Sequence, residues 1–589
     1  MVAFLKDWRK KMKKIFEIDG RAYTLESEAD FGAEFYLEKK EGGISYFKLK
    51  FDFGETVIPK TVSLSYKMPA VDIYGMWDPM SRTRNFGWLK VPTHSRLAGG
   101  MPIKQLFSKS GKNRYLVAIS DVKSPLCISM GANERGGTVT VQIEFFTNVT
   151  GPFDRYEAAL RIDERDILFD DAIQEARLWY DSLGYRASNA PELAKEPMYS
   201  TWYSLWQSMT AQEVLRECRQ AVKLGMKTVI IDDGWQKAVP GRIYEFVGDW
   251  VPEKRRFGDL EALVPKLHAM GLNVMLWFSI AFIGHKAKNY KRFEGKYLRE
   301  HPEGHYAVLD PRYKEVRDFL VETYVDAVKR YDLDGLKLDF IDRFNSNGKV
   351  EDGMDFTSVE DATEQLLKDI TEALDKIKPN MLIEFRQPYF GPVISAYGNM
   401  IRVWDCPLDS VQNKNATLDL RLTSSSCAVH SDMMYWSKSD TPENVATQLW
   451  GTMFSVPQIS NIHADTTPEQ REVLKNYLDF WMAHKSTLMD GKLNVKLEGY
   501  GYGYATAKGE DEKISLAIST PICDATDSFA RTYMVNLTDS ENVILKAEKG
   551  TFVEIFDCRG KRVGGKKRVR ASLSEIYVPL GACLCVTRG

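Results

Sequence analysis

The chain has 589 residues, with 79 basic against 81 acidic side chains, a net charge of −2, and 44% hydrophobic and 27% charged residues. A charge so evenly balanced supplies no broad field for nucleic acid or an anionic membrane, and the mix is that of an ordinary globular protein. No stretch approaches the roughly 20 apolar residues of a membrane-crossing helix. The opening "MVAFLKDWRKKMKKIFEIDG" has neither a continuous apolar segment nor a small-residue cleavage site, so no secretory leader is expected. Eight cysteines, at 127, 218, 406, 427, 523, 558, 583 and 585, show no paired zinc spacing. Reduced thiols in a cytoplasm are the expectation.

From residue 15 to about 187, alternating runs such as "TVSLSYKM", "RYLVAIS" and "TVTVQIEFF" are broken by turn residues, which predicts an antiparallel β-sandwich. A helical stretch, "DDAIQEARLWYDSL" (170–183), leads out of it. Beyond 196, short apolar runs alternate with amphipathic segments. The predicted strands are "PMYSTWYSL", "KTVIIDDGW", "NVMLWFSI", "GLKLDFID", "NMLIEFRQ", "MIRVWDCP", "HSDMMYWS" and "VPQISNI". Between the first two, "TAQEVLRECRQAVKLG" has a Thr ahead of its helical periodicity and a Gly behind it. Eight strands with intervening helices over roughly 290 residues predict a (β/α)8 TIM barrel. Alternation returns from about 491 in "KISLAIST", "RTYMVNL" and "EIYVPLGACLCVT". The predicted organisation is an N-terminal β-sandwich (1–187), a catalytic barrel (188–490) and a small C-terminal β domain (491–589).

In such a barrel the working residues sit at the C-terminal ends of the strands. Those ends carry Trp202 and Trp206 on strand one, Asp232, Asp233 and Trp235 on two, and Trp277 on three. Strand four carries Lys337, Asp339 and Asp342, and strand five Glu384, Arg386 and Gln387. Strand six carries Arg402, Trp404, Asp405 and Asp409, and strand seven His430 and Asp432. Any one of these aspartates suits a helix cap or a turn. A whole rim of them interleaved with Trp is harder to attribute to stability, because unpaired buried carboxylates are costly.

The chemistry that suits such a rim is glycoside cleavage. Two carboxyl groups flank the scissile bond, one attacking or activating water and the other donating a proton. Strand periodicity puts Lys337 on the face of Asp339, so the cation lowers that carboxyl's pKa and suits it to be the nucleophile. Asp405 beside Trp404 is read as the general acid, its pKa raised by an apolar neighbour. Some residues keep two readings. Asp342 is a cap or a ligand, Arg402 a hydroxyl ligand or a partner of Glu384, and His430 a rim or a core residue. The Trp residues are stacking platforms or packing.

These motifs resemble glycoside hydrolase family 36, the α-galactosidases of the melibiase clan, and the three-part organisation resembles it over most of the chain. "IDDGW" is similar to the family's strand-two motif, which implies that Asp232 and Asp233 bind the 4- and 6-hydroxyls of galactose. "LKLDF" is similar to the nucleophile motif Lys-x-Asp-x-Asn, which implies Asp339 as nucleophile and Lys337 as hydroxyl ligand, although Ile341 stands at the Asn position. "VWDCPLDS" resembles the Ser-Asp-x-Thr-Asp segment and implies Asp405 as acid/base, with Asp409 the runner-up. The resemblance implies retaining, exo-acting hydrolysis of a terminal α-linked galactose or galactose-like sugar, with no cofactor and no metal. The expected substrate-binding set is Asp232, Asp233, Trp235, Lys337, Glu384, Arg386, Gln387, Arg402, Asp409, Trp202, Trp277 and His430. The expected partner is an oligosaccharide or glycoside, not nucleic acid or membrane. Such enzymes are often dimers or tetramers, so a homo-oligomer is a further expectation.

Strand five departs from the family, whose pattern there is Cys-x-x-Gly-Gly-x-Arg. In "IEFRQPYFGP", Arg386 and Gln387 replace small residues near the 2-hydroxyl, and bulkier polar groups change which sugar fits. Other retaining α-glycosidases (of the α-N-acetylgalactosaminidase, α-glucosidase or α-xylosidase type), a transglycosylase, and a carbohydrate-binding barrel without turnover are the competing readings. The double Asp of "IDDGW" favours an axial 4-hydroxyl. Eight His without a His-x-His strand end argue against a metal-dependent hydrolase.

Overall fold

Alternating side chains build two six-stranded antiparallel sheets from the N-terminal region, packed face to face. In Val62–Pro69 every second residue is buried. The inward rows of both sheets, Leu25, Phe47, Leu64, Val141 and Leu160 among them, form one apolar core. The computed structural model describes residues 12–80, 83–237, 241–499 and 501–588. The basic run read above for a leader falls mostly on residues 1–11, outside the described residues. Helix Phe169–Ser182 links the sandwich to the barrel, one residue from its predicted position.

Eight parallel strands follow. Strands one to four are Met198–Ser200, Thr228–Ile231, Asn273–Ser279 and Gly335–Asp339. Strands five to eight are Leu382–Arg386, Met400–Arg402, Ala428–His430 and Gln458–Ile459. Neighbours pair in chain order, and strand eight pairs with strand one. Bridges His430–Val456 and Met434–Ile459 close the ring between seven and eight. The helix after strand one, Ala211–Lys223, starts at Thr210 through reciprocal hydrogen bonds with Glu213, as its sequence predicts.

Two features differ from the sequence reading. Strand seven ends at His430, where the prediction has it begin. Past that point the Asn413 side chain takes the place of a neighbouring strand, accepting from the Asp432 N–H at 3.0 Å and donating to its C=O at 3.2 Å. Also, a three-stranded antiparallel sheet (Phe282–Gly284, Tyr297–His301, Tyr306–Leu309) lies between strand three and helix Lys314–Tyr331. Its Phe282 stacks on Tyr306 at 4.0 Å and on Phe340 at 4.7 Å, beside Asp339.

The C-terminal region forms a seven-stranded and a three-stranded sheet. It meets the sandwich and the barrel at Asp419, on helix Ser410–Thr423. This buried carboxylate accepts from Trp77 Nε1 at 2.8 Å and Arg84 Nη2 at 2.6 Å, both of the sandwich, and from the C-terminal Tyr502 hydroxyl at 2.6 Å. Among the described residues no helix is long and apolar enough to cross a membrane.

Candidate active site

A small cavity opens at the C-terminal ends of the barrel strands. Strands one to three contribute Trp202, Asp232, Asp233 and Trp277, and strands four to six contribute Lys337, Asp339, Phe340, Arg386 and Asp405. Arg242 and Tyr244 reach in from the segment after strand two. Asp339 and Asp405 therefore face one space.

Asp339 is 6% exposed and held from both oxygens. Trp277 Nε1 donates to Oδ2 at 3.0 Å. Arg386 Nε at 3.1 Å, the Phe340 N–H at 2.8 Å and the Tyr389 hydroxyl all donate to Oδ1. Phe340 has a left-handed φ of 66°, which turns its N–H back onto that carboxylate. A bulky residue in this conformation stores backbone strain of the kind found at functional sites. Burial alone would raise the Asp339 pKa. The charges of Arg386 and Lys337, with the Tyr389 and Trp277 hydrogen bonds, outweigh it and hold the carboxyl far below its usual range. The sequence reading credits Lys337 with this. Lys337 does act through space, but its Nζ donates at 2.7 Å to Asp232 Oδ2, and Arg386 is the direct partner.

Asp232 and Asp233 follow strand two. Asp233 accepts from Gln207 Nε2 at 2.7 Å and Gln236 Nε2 at 2.6 Å, and burial pushes its carboxyl up to about 6. Gly234 of "IDDGW" has φ 119°, and a Cβ there would lie 2.6 Å from the Gln207 Cα. The glycine thus lets the segment after strand one pack directly on the carboxylate pair.

The opposite wall differs more from expectation. Arg402 is fully buried between carboxylates, donating to Asp405 at 2.9 Å and to Asp432, with Glu384 at 3.7 Å. Burial would raise the Asp405 pKa, but Arg402, Arg386 and Lys337 hold it below the usual range. This corrects the expectation that Trp404 raises it: a guanidinium at hydrogen-bond distance outweighs an apolar neighbour. Arg402 is thereby an ion-pair hub and not a hydroxyl ligand. Glu384, 0% exposed, lies beneath the cavity against Gln458, with its pKa raised by burial.

Four more expected ligands are elsewhere. Trp235 is a core residue, its Nε1 donating to the Trp277 C=O at 2.8 Å and its ring against Trp250 and Phe278. His430 is 0% exposed, with Nε2 2.8 Å from the Ala194 C=O, and burial pulls its pKa down to about 3. Asp409 is an exposed cap for Gln412 N–H at 2.9 Å. Gln387 is buried outside the cavity lining. Ile341, at the family's Asn position, is fully buried core.

Sequence reasoning missed Arg242, Tyr244 and Tyr389, which sit on segments without periodicity. Among the described residues no cluster of three or more His, Cys, Asp or Glu side chains is arranged to hold a metal ion.

The eight-stranded parallel barrel thus brings carboxylates, cations and indoles from six of its strands to one small cavity. Residues 188–386, which hold barrel strands one to five, match the Melibiase family model. Over 134 residues the chain is 25% identical to α-galactosidase AgaA of Geobacillus stearothermophilus, covering 21% of this chain and 18% of that protein. Over 161 residues it is 26% identical to α-galactosidase Mel36A of Lactobacillus acidophilus, covering 26% and 21%. The chain thus matches about a fifth of the length of these curated relatives. The crystal structure of the Geobacillus stearothermophilus enzyme with raffinose superposes with a TM-score of 0.64 at 13% identity, covering 98% of this chain and 87% of that one. That of the Thermus thermophilus α-galactosidase with p-nitrophenyl α-D-galactopyranoside gives 0.53 at 15%, covering 84% and 97%. At these identities the shared property is the fold.

Proposed function

We propose that this chain is an exo-acting retaining glycoside hydrolase that removes a terminal α-linked galactose or a closely similar sugar. The observation that carries the proposal is the charged Asp339 facing Asp405 across one small cavity. Asp339 Oδ2 attacks the anomeric carbon as Asp405 protonates the leaving oxygen, giving a β-linked glycosyl-enzyme. Asp405 then takes a proton from water, which releases the sugar and regenerates Asp339. Arg402, Arg386 and Lys337 hold Asp405 ionised, so it must take up a proton before it acts as the acid. Asp232, Asp233 and Lys337 supply acceptors and a donor for sugar hydroxyls, and Trp202 and Trp277 supply ring faces. Arg386, locked onto Asp339, fills space near the 2-position and disfavours bulky 2-substituents such as N-acetyl.

The sandwich and the outer part of the C-terminal sheets each have an apolar core of their own, which supports flanking domains, and we place the boundaries near 187 and 490. Eight buried, unpaired thiols fit a reducing compartment, and we place the reaction in the cytoplasm.

The test is turnover of aryl α-galactosides against the α-glucoside, α-xyloside and α-N-acetylgalactosaminide. The galactoside should be preferred. Asp405→Ala should spare substrates with good leaving groups and recover with azide, while Asp339→Asn should not. Equal loss on all leaving groups in Asp405→Ala would remove Asp405 from the acid/base role.

A further inference from the structure

Asp432, just past strand seven, is 0% exposed and does not line the cavity, yet both its oxygens engage the surroundings of Asp405. Oδ1 accepts from Arg402 Nη1, while Arg402 Nη2 donates to Asp405 at 2.9 Å. Oδ2 accepts at 2.7 Å from the N–H of Cys406, the residue after Asp405, and at 2.9 Å from the Tyr203 hydroxyl. The Asn413 side chain clamps the Asp432 backbone at both its N–H and its C=O. Among the described residues Arg402 Nε makes no hydrogen bond, and it faces Glu384 Oε1 at 3.7 Å. One guanidinium thus stands among three carboxylates. Of these Asp405 alone opens to solvent, its side chain 36% exposed against 1% for Asp432 and 0% for Glu384.

We propose that Asp432 is a positioning residue for the acid/base step: it engages one end of the Arg402 guanidinium and fixes the Cys406 backbone, which loosens the cation's hold on Asp405 and lets that carboxyl both accept and give up a proton in one cycle. The inference rests on the glycosidase reading above. The acid/base of a retaining enzyme is protonated before the first step and charged before the second. A guanidinium dedicated to a single carboxylate would hold it charged throughout. At Asp405, burial and Asp339 favour the neutral form, against Arg402, Arg386 and Lys337. At Asp432, burial and Asp405 favour the neutral form, against Arg402 and the Cys406 and Tyr203 hydrogen bonds. Three donors on its two oxygens keep Asp432 charged. Tyr203, Cys406 and Tyr435 face it with pKa values raised by burial, and His430 faces Arg402 with its own lowered by burial, so none of the four is charged near neutrality. Glu384, its pKa raised by burial, meets Arg402 only across the longer gap. Asp432 is therefore the charge in hydrogen-bond contact that competes with Asp405 for Arg402.

The test is Asp432→Asn, which removes the charge and keeps the shape. The alkaline limb of kcat/KM reports loss of the proton from the free enzyme's acid. For phenyl α-galactoside that limb should move to lower pH by about one unit or more, because Arg402 is left to Asp405. The loss should be smaller for 4-nitrophenyl α-galactoside, whose leaving group needs less protonation. An unmoved limb, with both substrates declining in the same proportion, is what a merely structural role gives and overturns the proposal. If Asp432→Asn does not fold, Tyr203→Phe decides: it takes a donor from Asp432, leaves more of that charge to Arg402, and should move the limb upward. A limb unmoved or moved downward in Tyr203→Phe overturns the proposal. If the parent cleaves no α-galactoside, the glycosidase reading fails, and the role of Asp432 is read from carbodiimide labelling of Asp405, which requires the protonated carboxyl. The pH at which labelling falls by half, followed by peptide mass spectrometry, should be lower in Asp432→Asn. Identical profiles in the two proteins, or no labelling of Asp405 at any pH, overturn it.

Discussion

Asp339 and Asp419 are buried to similar depth and are held by the same three kinds of donor. Trp277, Arg386 and Tyr389 surround Asp339; Trp77, Arg84 and Tyr502 surround Asp419. Yet the Asp339 pKa is lowered while burial raises that of Asp419. A second cation, Lys337, adds to the field at Asp339, whereas Arg84 is the cation offsetting burial at Asp419. The two also differ in what lies on the remaining side, a cavity in one case and the junction of three layers in the other. The same donor set holds a carboxylate at the wall of a cavity in one case and a closed clasp between layers in the other.

The strongest way to break this comparison is to remove each carboxylate. Asp339→Asn should lower turnover by at least ~10⁴-fold, as loss of a nucleophile does, with its melting temperature close to the parent's. Significant residual turnover would return Asp339 to a structural role. Asp419→Ala should instead cost about 3–5 kcal/mol in denaturant unfolding, because Arg84 is left buried without its carboxylate. The folded fraction should keep its specific activity.

The paired tyrosines sharpen the contrast with one substitution made twice. A hydrogen bond to a charged group contributes ~1.5–3 kcal/mol. Tyr502→Phe should lose that in stability and little in kcat. Tyr389→Phe should lose it in the activation barrier, about 10- to 100-fold in kcat, with little change in unfolding. If both variants lost stability alone, the distinction would dissolve.

The smallest effect belongs to neither centre. His430 is buried neutral with its pKa pulled down to about 3. Its contribution is complete above the unfolded value near 6.5 and is lost as pH falls below it, by about 1.4 kcal/mol per unit. At pH 5.5 the parent should be roughly 1.4 kcal/mol less stable than at neutrality on this account. His430→Gln should lack that part of the decline. An identical pH dependence in the two proteins would contradict the assignment.

The wall formed by strands two to four was readable in the chain because its chemistry is local. Asp232 and Asp233 are adjacent, and Lys337 and Asp339 share a strand face. Arg386, by contrast, reads in the chain as a sugar ligand and is in the fold the ion-pair partner of Asp339, 47 residues away. Arg402 likewise joins Asp405 to Asp432, 30 residues beyond it. Trp235 and His430 stand at strand ends as a site residue would, but their side chains face packed neighbours.

Periodicity and turn chemistry determined by themselves that this chain makes a sandwich, a parallel barrel and a terminal β unit, since burial follows a repeat of two or 3.6 residues that is written locally. They also placed the carboxylates at the rim. Which cation neutralises which carboxylate, and so which acid is held ionised, was decided only by closure of the barrel. Electrostatic strength depends on distances of a few ångströms between strands, and chain separation carries no information about those.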